Sequence, residues 1–199
     1  MILYYAPGAC SQASHIALNA AGIPYRLVKV DRDRRTEDGH DFNLINSKGY
    51  TPALDLGDGT ILTENLAILA YIAAQSGKLM PKEGLAHWRV LEALAFMTTE
   101  IHRGFTPFFR GGSDEEKAQA AETLALRFGT INDQMGDHPF LMGEQMTIAD
   151  CYLFVMLSWA VMMGVALPSP LTAYLARMKC VPSVAKTLVA EGNKDEGQV

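Results

Sequence analysis

The order of strand and helix patterns in the first 77 residues restricts this chain to few folds. The apolar run Ile2–Tyr5 has the length of one buried strand, and a helical pattern follows over Ser11–Ala21. The alternating stretch Tyr25–Val30 predicts a second strand, and the helix between the two strands makes them parallel. The turn sequence Gly57-Asp58-Gly59 then predicts a β-hairpin, which is followed by a helix that ends at Gly77. Residues 1–77 are therefore predicted to form an α/β domain.

The rest of the chain shows helical patterns only. Residues 78–84 predict a linker, and residues 85–199 predict an all-helical domain. The first predicted helix, Leu85–His102, has an inward-facing stripe that continues beyond its end and comprises Leu91, Ala95, Thr98, His102, Phe105 and Phe109. Capping boxes at Ser113–Glu116 and Thr147–Asp150 predict two further helix starts.

The apolar run Cys151–Leu167 has two interpretations, a membrane span or a buried helix. The run is shorter than the roughly 20 residues that a bilayer requires, and Pro168 and Pro170 follow it directly. We therefore predict that it is the buried centre of the helical domain, with no membrane partner. One more helix is predicted over Leu171–Met178.

Composition excludes several classes of protein. A net charge of −5 and a pI near 5.5 give no sign of a nucleic-acid partner. The cysteines Cys10, Cys151 and Cys180 are odd in number and widely spaced, which predicts neither a disulfide framework nor a metal site. Because Met1 leads directly into a strand pattern, we expect no signal peptide and a cytoplasmic location.

The turn Pro7-Gly8-Ala9-Cys10-Ser11 carries the strongest candidate for chemistry. It places Cys10 at the start of a helix, where free N–H groups and the positive end of the dipole favour a thiolate. The alternative is a buried structural cysteine, which the proline and glycine of the turn make less attractive. In a Cys-x-x-Cys motif that begins at Cys10, the fourth position is Ala13 rather than a second cysteine, so disulfide chemistry here would need an external thiol.

Three other segments contain candidate residues. Thr51-Pro52 precedes a strand and suggests either a cis-proline beside the cysteine, which the context favours, or an ordinary trans turn. Glu64 and Asn65 offer a carboxylate for an ammonium group and a helix start for a carboxylate, although Asn65 could equally be a helix cap. His102 lies on a largely apolar stripe and is either a core histidine or a catalytic one. The basic cluster Arg32–Arg35 could bind an anion or could be a solvated surface.

Taken together, the motifs resemble the bacterial beta-class glutathione S-transferases over essentially the whole chain. The matching segments, in order, are Tyr4–Ser11, Ser14–Leu18, Asn46–Leu54, Asp58–Glu64, Thr99–Pro107 and Met146–Tyr152. Each segment is weak evidence alone, but their order and spacing are specific. The resemblance implies a thioredoxin-like N-terminal domain, an all-helical C-terminal domain and a cytosolic homodimer that uses glutathione as a substrate and needs no metal.

The resemblance also assigns roles to residues. It implies catalytic roles for Cys10, Ser11 and His102, and an electrophile site at Phe105, Phe109 and Trp159, whose rings are also core candidates. The residues that it implies for glutathione binding are Ala9, Cys10, Arg35, Tyr50, Thr51, Pro52, Glu64, Asn65, Glu100, His102 and Arg103. Two departures from the family pattern, Asn65 and Ala95, predict weaker glutathione binding than the family norm.

The function that the resemblance implies is conjugation of glutathione to hydrophobic electrophiles for detoxification. Thiol–disulfide exchange through Cys10 is predicted beside it. The alternatives are a binding protein without turnover, and a glutathione-dependent isomerase or dehalogenase on the same scaffold. The sequence does not specify the electrophile.

Overall fold

The structure is a computed structural model, and it describes residues 1–192. The described residues form four β-strands and eight α-helices. The strands are β1 Ile2–Tyr5, β2 Arg26–Lys29, β3 Ala53–Asp55 and β4 Ile61–Thr63. The helices are α1 Ser11–Ala21, α2 Asn65–Ser76, α3 Gly84–Phe96, α4 Thr106–Phe109, α5 Asp114–Met135, α6 Ile148–Met162, α7 Ser169–Lys179 and α8 Pro182–Ala190.

The contacts divide the chain into two compact units. The first contains residues 1–78 together with the described part of 180–199, and the second contains residues 79–179. The predicted second domain, 85–199, differs from this division at its C-terminal end, and its last residues, 193–199, lie outside the described residues. The difference arises because α8 packs against α1 and therefore belongs with the first unit.

A four-stranded sheet forms the first unit, in the order β2-β1-β3-β4. As the β-α-β pattern predicts, β1 and β2 are parallel, and β3 and β4 form the predicted antiparallel hairpin. Tyr4, Val28 and Phe42 lie in the core on one side of the sheet, where Phe42 is supplied by a short 3-10 helix, Phe42–Leu44. Helix α1 ends at Gly22, which adopts a left-handed conformation with φ 74° that glycine adopts without strain.

The second unit is entirely helical in its described residues. Helix α3 continues through a π-helical stretch, Met97–His102, and a 3-10 turn, Arg103–Phe105, into α4. Phe105 of the predicted stripe is buried and Phe109 is exposed, whereas the other four members each lie one residue after a buried position. The buried side chains of this stretch are Val90, Ala93, Leu94, Met97, Ile101 and Phe105. The predicted and the observed stripe both have three- and four-residue spacing and apolar members. The periodicity of the sequence alone therefore did not distinguish one from the other.

Helix α6 is the buried centre of the second unit, as its apolar sequence predicts. The predicted capping box of Thr147 and Asp150 opens it, and the box of Ser113 and Glu116 opens α5. The helix ends at Met162 rather than at Leu167, because Gly164 adopts a left-handed conformation with φ 70°. Over residues 1–192, no helix combines the length and the apolar character that a membrane crossing requires.

Candidate active site

Cys10 lies where the sequence places it, at the turn between β1 and α1. It is the residue that immediately precedes the helix, its side chain is half-buried, and its Sγ donates to the carbonyl oxygen of Thr51 at 3.6 Å. The turn is held by the backbone N–H of Ala9, which donates to the carbonyl of Ala6 at 3.1 Å. The thiol is therefore fixed next to the loop that precedes β3.

The protonation state of Cys10 differs from the expectation. Burial raises the pKa of the Cys10 thiol to about 12, against the backbone N–H groups of Cys10 and Ser11, which lower it. The expectation of a lowered pKa at the helix start was wrong, because the cost of burying the charge outweighs the donors there. Cys10 is therefore a neutral thiol near pH 7, and it keeps one hydrogen, which it donates to the carbonyl of Thr51 in this structure.

Ser11 is engaged within the turn and is fully buried. Its hydroxyl donates to the carbonyl of Ala6 at 3.1 Å and accepts from the N–H of Ala6 at 3.2 Å. This reciprocal pair closes the turn before α1. In this structure Ser11 therefore holds the turn, and its catalytic function stays a prediction from the resemblance.

Thr51 and Pro52 are joined by a cis peptide bond, as expected for this position. Pro52 is buried, whereas Thr51 is half-buried. The carbonyl oxygen of Thr51 accepts the hydrogen bond from the thiol of Cys10. The backbone of Thr51 thus lies beside the sulfur, and this arrangement suits an extended peptide that lies along the loop.

Glu64 is the centre of a group of charged and polar side chains at the start of α2. One carboxylate oxygen, Oε1, accepts from Nζ of Lys48 at 2.5 Å and from the hydroxyl of Tyr50 at 2.8 Å. Lys48 Nζ also donates to the hydroxyl of Thr63 at 3.0 Å. The hydrogen bond from Lys48 lowers the pKa of Glu64 most, and the hydrogen bond from Tyr50 lowers it further, so the carboxylate stays ionised. Lys48 was missing from the expected site residues, although it lies in the same loop motif as Tyr50.

Asn65 was expected either to offer a helix-start N–H group to a ligand carboxylate or to cap α2. It is the first residue of α2, which makes Glu64 and not Asn65 the residue before the helix. Its side chain is buried, Oδ1 accepts from the hydroxyl of Ser14 at 2.6 Å, and Nδ2 has no partner in the described structure. The amide therefore faces the interior, and its contribution to a site is limited to the backbone N–H.

Two other expected residues of the first unit are at least partly exposed. Arg35 is exposed, and its guanidinium donates to the carbonyl of Gly39 at 3.1 Å. Ala9 is half-buried in the turn that precedes Cys10. Neither position opposes contact with a ligand.

In the second unit, His102 lies at the end of the π-helical stretch. Its Nδ1 and the hydroxyl of Tyr152 share a hydrogen bond of 2.6 Å, and the ring of Trp159 stands edge-on at a centroid distance of 5.0 Å. Burial lowers the pKa of His102, so the imidazole is neutral near pH 7. Tyr152 was not among the expected site residues, because it lies within an apolar run that is typical of a buried helix.

The neighbours of His102 have different surroundings. Glu100 forms an ion pair with Arg127 at 2.9 Å, and both side chains are partly exposed. Arg103 is exposed and lines an open cavity of about 980 Å³ that Arg110 and Glu115 also line. The structure therefore places the side chains of Glu100 and Arg103 in separate polar environments.

The aromatic residues expected to form the electrophile site do form one cluster. The ring of Trp159 contacts those of Phe105 and Phe109 edge-on, at centroid distances of 5.6 and 4.8 Å. Phe105 and Trp159 are buried, whereas Phe109 is 48% exposed. Phe109 is thus the member that a ligand can reach directly, and the other two support it. Within residues 1–192, no group of three or more His, Cys, Asp or Glu side chains could hold a metal ion.

Comparison with known proteins places these two units in one family. The sequence profile of the family "Glutathione S-transferase, N-terminal domain" matches residues 8–75. The profile "Glutathione S-transferase, C-terminal domain" matches residues 114–177. The match confirms the predicted fold class, a thioredoxin-like N-terminal domain followed by an all-helical one.

Individual relatives agree with these matches. The chain is 40% identical to the glutathione S-transferase GstA of Escherichia coli O157:H7, over 98% of this chain and 100% of that protein. A sphingomonad glutathione S-transferase solved with glutathione is 40% identical, with a TM-score of 0.90 and coverage of 98% and 100% of the two chains. The bacterial beta-class enzyme of Sphingomonas chungbukensis is 41% identical, with a TM-score of 0.88 and coverage of 96% and 99%. The chain therefore belongs to the glutathione S-transferase family, as its resemblance to the bacterial beta class predicts, and is an enzyme of the transferase type.

Proposed function

We propose that this transferase conjugates glutathione to hydrophobic electrophiles, a reaction that serves detoxification. The observation that carries the proposal is the thiol of Cys10 held beside the carbonyl of Thr51 at 3.6 Å, at the start of α1. Glutathione would lie along the loop of Thr51 and Pro52, with its γ-glutamyl end at Glu64. Arg35, exposed in the same unit, would meet the glycine carboxylate.

The neutral thiol of Cys10 indicates how the reaction is assisted. In conjugation, the glutathione sulfur forms a bond to the electrophilic carbon, and the leaving group departs with its electron pair. A thiol whose pKa is about 12 keeps its hydrogen and can donate it to the sulfur of a bound glutathione thiolate. Such a donor favours the thiolate form of the substrate, which is the nucleophile. Cys10 is thus proposed to be a donor in this reaction and not the nucleophile.

Variants of Cys10 test this assignment with the electrophile 1-chloro-2,4-dinitrobenzene. Cys10→Ala removes the donor and should lower kcat/KM about tenfold, as for the loss of one hydrogen bond to a charged group, while Cys10→Ser keeps a donor and retains more activity. The apparent pKa of the glutathione thiol in the pH–rate profile should be higher for Cys10→Ala than for wild type. Equal rates and equal profiles for all three proteins would refute a donor role for Cys10.

Thiol–disulfide exchange is the second candidate, and the position of Cys10 supports it. In this reaction the small fraction of Cys10 that is ionised attacks one sulfur of glutathione disulfide, a Cys10–glutathione disulfide forms, and the other glutathione leaves as a thiolate. Because burial raises the pKa of Cys10 to about 12, we expect this exchange to be slow near pH 7. Because Ala13 occupies the position of a resolving cysteine, the mixed disulfide would persist until an external thiol attacks it. Intact mass after incubation with glutathione disulfide should show one glutathione added, absent in Cys10→Ala and removed by reductant.

The aromatic cluster supports the hydrophobic character of the second substrate. Phe109 offers an exposed ring backed by Trp159, which suits a flat apolar electrophile. The expected roles of Glu100, His102 and Arg103 in glutathione binding stay predictions from the resemblance. If neither conjugation nor exchange is detected, the remaining alternatives are a non-catalytic binding protein and a glutathione-dependent isomerase or dehalogenase.

We also propose a cytoplasmic homodimer. Leu85 and Trp88, three residues apart on α3, are 68% and 63% exposed, and large apolar side chains on one helix face are typical of a protein interface. The three cysteines form no disulfide, which suits a reducing compartment. Light scattering should give the mass of a dimer for wild type and a shift toward the monomer for Trp88→Glu.

A further inference from the structure

A cavity of about 310 Å³ lies in the first unit, on the face of the sheet that carries Tyr4 and Val28. Arg26 and Val28 are two positions apart on β2, and Val28 pairs with Tyr4 of β1, so the three side chains share this face. The segment between β2 and β3 completes the lining with Thr36, Asp38, His40, Asp41, Leu44 and Ile45. All these residues lie outside the candidate active site, and the volume suits a small organic ligand.

Tyr4 offers this cavity a hydroxyl group that has no partner. The residue is only 8% exposed, and its hydroxyl forms no hydrogen bond with any residue in the described range 1–192. The charges of Arg26 and Asp38, which also line the cavity, act on this hydroxyl, so it lies at the cavity end of the ring. Burial raises the pKa of Tyr4 most, and Asp55 raises it further, so the hydroxyl keeps its hydrogen near pH 7. A buried donor therefore faces the cavity unsatisfied.

Arg26 supplies a second set of unused donors. Its side chain is exposed, and within residues 1–192 its guanidinium forms neither an ion pair nor a hydrogen bond. Ile2 pairs with both Arg26 and Asp55 in the sheet and so lies between them. Asp55 accepts instead from the N–H of Gly57 at 2.7 Å. The five N–H groups and the positive charge of Arg26 thus remain available to a ligand.

The acidic side chains of the cavity already have partners. Asp38 forms an ion pair with Nδ1 of His40 at 2.9 Å and accepts from the hydroxyl of Thr36. Asp41 accepts from the N–H and from Nδ2 of Asn43, at 2.9 and 2.7 Å. Their negative charge is therefore compensated in part within the segment, whereas the positive charge of Arg26 is not. This difference favours an anionic group in the ligand over a cationic one.

The remaining lining residues are apolar. Val28 is buried, Ile45 is half-buried, and Leu44 is 87% exposed at the rim. A ligand that covers Leu44 and Ile45 removes apolar surface from water, and this favours binding. The lining therefore suits a molecule with an anionic group at one end and an apolar body at the other.

We propose that this cavity binds a small organic acid, whose carboxylate contacts Arg26 and Tyr4 and whose apolar body contacts Leu44 and Ile45. A carboxylate matches both unused donors, because it accepts from the planar guanidinium through two oxygens and from the phenol through either one. The assignment is independent of the proposed transferase function, since the candidate active site contributes no lining residue.

Nuclear magnetic resonance titration of the isotope-labelled full chain tests this site with three probes of similar size. The probes are 3-phenylpropionate, its neutral amide and the cationic 3-phenylpropylamine. The acid should shift the backbone amide signals of Arg26, Val28 and residues 36–45 until the site is saturated. The neutral amide should bind about tenfold more weakly, because it lacks the charge that strengthens these hydrogen bonds. The amine should give no saturable shift at these residues.

Variants of the two donors assign the contacts. Tyr4→Phe removes only the hydroxyl and should weaken binding of the acid about fivefold. Arg26→Met should weaken it about tenfold, and Arg26→Lys should restore part of the loss. Arg32→Met is the matched control, because Arg32 is also exposed but lies outside the lining, and it should bind as wild type does.

Four results would overturn the proposal. The first is the absence of saturable shifts at β2 and residues 36–45. The second is binding of the amide or the amine as tight as that of the acid, which would exclude recognition of a negative charge. The third is unchanged binding by Tyr4→Phe, because the acid would then pair with exposed Arg26 without entering the cavity. The fourth is a set of shifts centred on Phe109 and Trp159, which would place the acid in the aromatic cluster.

Discussion

The carboxylate of Glu191 accepts a hydrogen bond from the backbone N–H of Gly8 at 3.0 Å, although 183 residues separate them. The same carboxylate accepts from Nε2 of Gln12 at 3.0 Å and contacts Nδ1 of His15 at 2.8 Å. The side chains of His15 and Glu191 are fully buried. The residue that follows α8 thus fixes the turn that carries Cys10, and α8 is part of the unit that contains the candidate catalytic thiol.

Removal of this carboxylate should destabilise the first unit strongly. Glu191→Ala leaves Gly8, Gln12 and His15 without their buried partner, and we expect the free energy of unfolding to fall by about 3 kcal/mol. Glu191→Gln retains one acceptor oxygen and should cost less. Urea unfolding followed by circular dichroism measures both values. Glu122→Ala, at an exposed position of α5, is the control, and equal stability of the two alanine variants would contradict a structural role for Glu191.

Alkylation of Cys10 should be slow at neutral pH. With a pKa of about 12, the thiolate fraction at pH 8 is on the order of 10⁻⁴, far below that of an unperturbed cysteine. We expect iodoacetamide to label Cys10 more slowly than N-acetylcysteine, with a rate that keeps rising as the pH increases above 9. Mass spectrometry of a Cys180→Ser variant, which lacks the exposed thiol, follows Cys10 without interference. Rapid, pH-independent labelling near pH 7 would instead support the lowered pKa expected from the helix start.

Asp150 should be essential to the stability of the second unit. Its buried carboxylate accepts from the N–H and hydroxyl of Thr147, the N–H of Leu141 and the hydroxyl of Tyr174. Asp150→Ala removes the cap of α6 and leaves these donors unpaired, so we expect a loss of about 3 kcal/mol of unfolding free energy. Tyr174→Phe removes one of the four contacts and should cost about 1 kcal/mol.

Thermal and urea unfolding of these two variants, beside the exposed-site control Asp133→Ala, measure the effect. If Asp150→Ala unfolds at the same urea concentration as the control, the carboxylate does not cap α6 in solution.

The sequence predicted the features that depend on neighbouring residues. The hairpin followed from Gly57-Asp58-Gly59, and both capping boxes followed from residue types three positions apart. Helix α8 was missed, although Pro182 at its first position is a common sign of a helix start. The short apolar pattern after Pro182 was too weak to predict a helix without its contact with α1.

The features that were missed at the site depend on residues far apart in the chain. The contact of Glu191 with Gly8 and His15 has no local signal, because a single glutamate near the end of a helix usually lies in solvent. The protonation of Cys10 depends on tertiary burial, which outweighs the local effect of the helix start. The burial of the Asn65 side chain was likewise not predicted, because its contact with Ser14 links two segments that are distant in sequence.

His102 should make the stability of the protein depend on pH in a predictable direction. Burial lowers its pKa below the ordinary histidine value of 6.5, so between these two values the unfolded chain binds a proton that the folded chain does not. The contribution of His102 to the unfolding free energy is therefore retained above pH 6.5 and is lost as the pH falls through the lowered folded pKa. Wild type should lose stability relative to His102→Gln between pH 7.5 and pH 5.5, because glutamine has no proton to bind.

Urea unfolding of wild type and His102→Gln at the two pH values gives this difference directly. The contributions of the other histidines to the unfolding free energy cancel, because both proteins contain them. Tyr152→Phe is the matched variant, since it removes the hydrogen bond to Nδ1 but leaves the imidazole in place. It should lower stability by about 1 kcal/mol at both pH values while keeping the pH dependence of wild type, because burial and not this hydrogen bond lowers the pKa of His102. A wild-type protein that gains stability relative to His102→Gln at pH 5.5 would mean that the folded protein protonates His102 readily. In that case a neighbouring acceptor, and not burial, would control its charge.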